Sequence, residues 1–286
     1  MIDTRARRAA LHVSGAALLL AGGKAAAGLF SGSVAVLSSA LDSAADALAS
    51  FANYLFLKLA SKPPDENHPF GHGKAEHLAA LLQGLLLLGG AVLLGIRAAE
   101  RIRNPAPIES GATALVTMIV SIFVTVGITL YLKKNATRSN SAALSGDALH
   151  YTSDIAANVA TIAALILVRV TGNVLFDSIF GVMVAGWIAW NSVYLIWNAG
   201  NDLMDVALPE EEIAAVIEAI ERSDPSVTGY RELRTRKAAG VRFIEFELLI
   251  DRNASFEHAH DVTEVVKAAI RGRFERSVVT VHAEPA

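Results

Sequence analysis

Six apolar stretches dominate the first two-thirds of this chain. They cover residues 9–30, 34–60, 77–97, 112–132, 142–170 and 179–197, with polar punctuation between them. Each meets or approaches the ~20 residues that a helix needs to cross a bilayer. Ser31-Gly32-Ser33 makes a tight turn after the first, and Pro63 and Pro64 stop the second. A polar segment from Asp65 to Lys74 precedes the third, and Pro105 and Pro107 lie in the connection to the fourth. The first stretch follows Arg5, Arg7 and Arg8 and contains small residues at 21–27, which is also how a cleavable signal peptide reads. Its length and the spans behind it favour a retained helix. Lys24 is expected toward the far end of that helix, where its stem lets the ammonium snorkel to the interface.

The pattern changes after Asp205. Pro209-Glu210-Glu211-Glu212 is an acidic helix start that suits the helix dipole, and 213–220 continue it. Two strand-like runs follow at 230–235 and 241–250. In the second, Phe246, Leu248 and Ile250 alternate with Glu245, Glu247 and Leu249, as in a half-buried strand. A helix over 256–271 and a strand over 278–281 complete an α-β-β-α-β order, an α+β sandwich with helices on one face of a small sheet. The expected fold class is therefore an all-α membrane domain of six transmembrane helices, residues 1–205, followed by a small cytoplasmic α+β domain, residues 206–286.

Composition supports the membrane assignment. Of the 286 residues, 53% are hydrophobic, against about 45–50% in soluble domains even when glycine is counted. The net charge of −3 is too small to imply a nucleic-acid partner. Cysteine is absent, so any bound metal must be held by His, Asp and Glu. An even number of spans puts both termini on one side. With the N-terminus inside, the inner segments hold Arg5, Arg7, Arg8, Lys58, Lys62, Lys74, Lys133, Lys134 and Arg138, and the outer ones Arg97, Arg101, Arg103 and Arg169. That excess favours cytoplasmic termini, with the arginines after the third span pulling the other way.

Two of the apolar stretches carry charge. Asp42 and Asp46 lie in the second, and His150 and Asp154 in the fifth, each pair four residues apart and so on one helix face. Both pairs begin eight residues into their spans, and the two helices run antiparallel, so the pairs can meet near the midplane. Three carboxylates and one imidazole suit a tetrahedral divalent cation such as Zn²⁺. Two solvated helix faces are the plainer alternative. Against it stands the cost of an ionisable group at membrane depth, roughly 2.5–3.5 kcal/mol on insertion scales. Asp147, one turn before His150, either lines the entrance to such a site or caps the helix at the interface. Asp65, His68 and His72 offer three ligands from one short loop, or are simply a solvated loop.

Taken together, Ser31-Gly32-Ser33, the Asp42/Asp46 pair, Asn67-His68-Pro69-Phe70-Gly71-His72-Gly73-Lys74 and His150-Tyr151-Thr152-Ser153-Asp154 resemble the cation diffusion facilitator family. The likeness covers almost the whole chain. It implies a homodimeric, proton-coupled exporter of zinc or related divalent metals, iron and cadmium among them, in a plasma or inner membrane. It also implies that Asp42, Asp46, His150 and Asp154 are the transport site, and that Asp65, His68 and His72 are a second metal site. In the last 80 or so residues it points to His260, His282 and Glu284 as ligands of a regulatory metal, although Arg231 and Glu247 stand where zinc-binding relatives can carry His. Physical chemistry agrees with exchange: when metal leaves buried carboxylates, burial and mutual repulsion favour protons in its place. Other readings are a membrane-bound metalloenzyme, for which no HExxH-type motif is present, and a metal sensor.

Overall fold

The structure is a computed structural model that describes residues 4–31, 34–103, 112–173, 175–238 and 240–286. The Gly32-Ser33 part of the expected turn and the Pro105/Pro107 connection lie outside the described residues. The chain divides into two compact units, Ile2–Gly200 and Asn201–Ala286.

The first unit is built from six long helices: α1 (Thr4–Ser31), α2 (Val34–Ala60), α3 (Ala75–Arg103), α4 (Ala112–Ser139), α5 (Ala142–Thr171) and α6 (Leu175–Leu203), the last ending just past the boundary. Among the described residues, five of these helices are long and apolar enough to cross a membrane; α2 has the length and carries Asp42 and Asp46. All but α2 run beyond the apolar stretches that announced them, because their polar ends continue the helical hydrogen-bond ladder. Leu18, Leu19, Phe123 and Trp190 point outward and are largely exposed, the pattern of a surface meant for hydrocarbon rather than water. The inward face is made of small residues. On α1 Ala6, Ala10, Val13, Ala17 and Ala21 form a buried stripe, which lets backbones approach closely where lipid supplies no hydrophobic drive. Gly84 marks the tightest crossing: a Cβ there would lie 2.7 Å from Ile196 Cγ1, so α3 and α6 can meet only at a glycine. The fifth helix starts at Ser141, whose Oγ accepts from the Leu144 N–H at 3.3 Å, and stops at Gly172, left-handed at φ 70°.

The second unit runs α7 (Glu210–Glu221), β1 (Val227–Ala238), β2 (Val241–Ile250), α8 (Phe256–Arg273) and β3 (Ser277–Pro285). The sheet order is β1-β2-β3, with β1 antiparallel and β3 parallel to the central β2. A parallel neighbour needs a crossover, and α8 supplies it. The alternation in β2 puts Ile244, Phe246, Leu248 and Ile250 inward. They meet Val216 and Ile220 of α7 and Val262, Val266 and Ile270 of α8 in one core. Arg242 at the head of β2 grips Glu212 in the first turn of α7 through two hydrogen bonds, Nε to Oε2 at 2.7 Å and Nη2 to Oε1 at 2.8 Å. This bidentate pair ties the sheet to the helix with directional contacts.

The Arg242 guanidinium holds the Glu212 carboxyl below its usual range. A depressed carboxylate stabilises the fold above its unfolded-state value of 4.5 and loses that contribution as pH falls through the lower folded value. Glu212→Gln is therefore expected to lower the stability of residues 206–286 by about 1 kcal/mol at neutral pH. The deficit should close in acid, as read from urea unfolding at several pH values.

Candidate metal centre

A polar seam joins α2 to α5. Reading down α2, Asp46, Ser50 and Asn53 recur at helical spacing and meet α5 in reverse order, as antiparallel helices must. His150 Nε2 lies 2.9 Å from Asp46 Oδ1. Ser50 Oγ donates to Asp147 Oδ1 at 3.0 Å and lies 2.9 Å from the Tyr151 hydroxyl. Asn53 Nδ2 donates to the Ala143 carbonyl at 3.0 Å. Ser50, Asn53, Asp147 and Tyr151 are all buried. Asp147 is thus neither a solvent-facing entrance nor an interfacial cap: it is a fully buried carboxylate locked to the seam. Tyr151 and Ser50 are partners that the sequence did not single out, although their spacing from His150 and Asp46 was a legible sign.

At the head of the seam three potential ligands of two types, two carboxylates and an imidazole, converge. His150 Nε2 is 3.7 Å from Asp154 Oδ2 as well as 2.9 Å from Asp46, and one donor atom from each of the three residues lies within 4.8 Å of the others. These half-buried groups form one of two sets of three potential metal ligands among the described residues. Asp42 stands one turn along α2, exposed and outside that triplet, but it lines the same cavity of about 210 Å³ as Asp46 and Asp154. Lys24 also lines this cavity, and its Nζ donates to Ser43 Oγ at 2.7 Å. It points into the bundle instead of snorkelling away, because carboxylates on α2 and α5 offer its charge a better environment than an apolar exit.

The second set is Asp65, His68 and His72. Asp65 Oδ1 accepts from the backbone N–H groups of Asn67 and His68 at 3.1 and 2.8 Å, an Asx turn that folds the loop on itself. Its other oxygen lies 3.3 Å from His72 Nε2. Gly71, at φ 84°, provides the left-handed step that returns the chain toward Asp65. The hydrogen bond from the His68 backbone N–H, more than the imidazoles, holds the Asp65 carboxyl below its ordinary range, so it is anionic at neutral pH.

In the second unit, His282 Nε2 is 2.9 Å from Glu284 Oε1. His260 and Glu284 line one cavity of about 340 Å³, with Lys267 also in its wall. Within a single chain these three do not converge as Asp46, His150 and Asp154 do. Arg231 stands opposite Glu247 across β1 and β2, and Glu247 is in register with His282 on β3. A fixed positive charge therefore occupies the row where a second dication would need ligands.

The family model for the cation efflux transmembrane domain matches residues 11–204, and that for the cation efflux protein cytoplasmic domain matches residues 208–286. This chain belongs to the cation diffusion facilitator family. It is 37% identical to the cation-efflux pump FieF of Shewanella oneidensis, over 92% of this chain and 88% of that protein. It is 34% identical to the cation-efflux pump FieF of Cronobacter sakazakii, over 97% of this chain and 92% of that one. Among solved structures, a nickel form of the MamM CTD matches 27% of this chain and 99% of its own, at 30% identity and a TM-score of 0.26. As a cation diffusion facilitator the protein is integral to the membrane and a transporter rather than an enzyme, which sets aside the metalloenzyme reading.

Ser50 is the hinge of the seam, serving Asp147 and Tyr151 at once. Ser50→Ala leaves Asp147 without the Ser50 hydroxyl donor and is expected to cost about 1–3 kcal/mol. The change should appear as a lower thermal-unfolding midpoint of the purified full-length protein in detergent.

Proposed function

We propose that this cation diffusion facilitator exports a divalent cation, zinc foremost, in exchange for protons, with Asp42, Asp46, His150 and Asp154 as the transport site. The observation that carries the reading is the meeting of Asp46, His150 and Asp154, with His150 Nε2 2.9 Å from Asp46 Oδ1 and 3.7 Å from Asp154 Oδ2, on two long and largely apolar helices. Asp42, one turn away on the same cavity, is the fourth ligand and the third oxygen donor. One imidazole among carboxylates is a borderline donor set that suits Zn²⁺, with iron and cadmium as further cargoes. Metal and protons compete for the same atoms, so loading metal expels protons, the minimum that antiport requires.

The remaining assignments rest on the same reading. Residues 1–205 form the transmembrane domain, in an inner membrane with both termini cytoplasmic, and residues 206–286 pair with a second copy of the chain. Asp65, His68 and His72 bind a further metal ion. His260, His282 and Glu284 contribute to a regulatory site that needs an additional ligand, from the second copy or from water, to close it.

Sealed vesicles containing the purified protein and an internal pH dye test the transport reading. Zinc should enter with an opposing proton flux and faster than manganese. Asp46→Ala or Asp154→Ala should abolish both signals while the protein remains folded and dimeric. Undiminished zinc flux through either variant refutes the assignment. The loop is tested separately by equilibrium dialysis: His68→Ala should lower the number of zinc ions bound per chain by one and leave transport-site binding in place.

A further inference from the structure

Lys24 is a cation built into the wall of a cation site. It comes from α1, is half-buried, and its ammonium donates to Ser43 Oγ at 2.7 Å, one residue from Asp42 and three from Asp46. Lys24, Asp42, Asp46 and Asp154 all line one cavity of about 210 Å³. Ser39, Ser43, Ser121, Thr125 and Asn158 add short polar side chains to that wall, beside the apolar Ala17, Leu20 and Ala157, so the ammonium has oxygen partners other than the carboxylates within one cavity. An interfacial anchor would point away from the carboxylates. Lys24 points among them.

Charge bookkeeping gives this placement a consequence. Asp42, Asp46 and Asp154 carry −3 and neutral His150 adds nothing, so a dication alone leaves one negative charge uncompensated at membrane depth. With Lys24 counted, the site carries −2, which one dication cancels. Between transport cycles, the ammonium stays tethered beside carboxylates that have lost their metal. We propose that Lys24 is an internal competing cation of the transport site: it matches the site's charge to a single divalent ion and, by drawing on the same carboxylates, holds metal affinity low enough for release. This rests on the transport-site reading above. Lys24 does not ligate the metal; it acts through the carboxylates as a positioning and affinity-setting residue. Its flexible stem suits the task, since the ammonium can retreat toward Ser43 when metal enters and return when it leaves.

Removing a like charge a few ångströms from a bound dication, in a partly desolvated cavity, should strengthen binding by about tenfold or more. The test is zinc titration calorimetry on the full-length protein in detergent, paired with zinc flux in vesicles. It compares the wild type, Lys24→Met and Lys24→Arg, each with and without Asp154→Ala. Lys24→Gln replaces the Met variant if that one fails to elute as a dimer. The expected result is tighter Asp154-dependent zinc binding and a lower KM in Lys24→Met, together with a lower maximal flux because release is slowed. Lys24→Arg should stay near wild type in both. A merely structural lysine would lower flux and leave affinity unchanged or weaker; that outcome overturns the role of Lys24 alone. An unchanged number of zinc ions bound per chain together with undiminished flux in Asp154→Ala overturns the transport-site reading and the Lys24 proposal with it.

Discussion

A buried polar group at membrane depth has no water to turn to, and each one left unpartnered costs several kcal/mol. That constraint organises the transmembrane unit. Asp46, Ser50 and Asn53 on α2 have apolar neighbours along their own helix, and α5 answers them with His150, Asp147, Tyr151 and the Ala143 carbonyl. Once this seam is made, the register of the two helices is set to within a turn, because a slip would leave several buried groups without partners. The helices around them need only close packing. The alanine stripe of α1 and Gly84 of α3 supply it.

The same economy governs the metal centre. A site meant to hold a dication and then release it must not be left with a large uncompensated charge in either state. Three carboxylates in a cavity facing Lys24 come close to that balance, and a neutral imidazole adds a ligand without adding charge. Tight structural zinc sites favour closed, rigid coordination. Here Asp42 stands a turn away from the other three, and the cavity keeps room beside them. On the proposed reading, loose coordination and an internal competitor both suit cargo better than a permanent cofactor.

The loop and the second unit obey different rules because water reaches them. Asp65 is held by backbone N–H groups and stays charged at little cost, so the loop presents ligands without needing a neutralising partner. In the α+β unit the fold is secured by an ordinary apolar core between sheet and helices, reinforced by the Arg242–Glu212 clasp.

Much of this was legible in the residues themselves. Length and hydropathy marked the long helices of the first unit, five of them apolar enough to cross a membrane among the described residues, since a run of about 20 apolar residues has few other uses. Strict alternation marked β2, and the four-residue spacing of Asp42/Asp46 and His150/Asp154 put each pair on one helix face. The family likeness followed from the order of those motifs. Tertiary structure decided the rest. Which atoms of the two pairs meet, with Asp46 and Asp154 on His150 and Asp42 standing off, depends on the rotation of α2 against α5, and no local pattern encodes that. Asp147 could be read as an entrance or a cap; only the approach of Ser50 from another helix made it a buried partner. Lys24 looked like an interfacial anchor because, along its own helix, the nearest water lies past the end. The carboxylates that share its cavity come from residues 18 and more positions away, and a one-dimensional pattern carries no information about a charge that arrives from another helix.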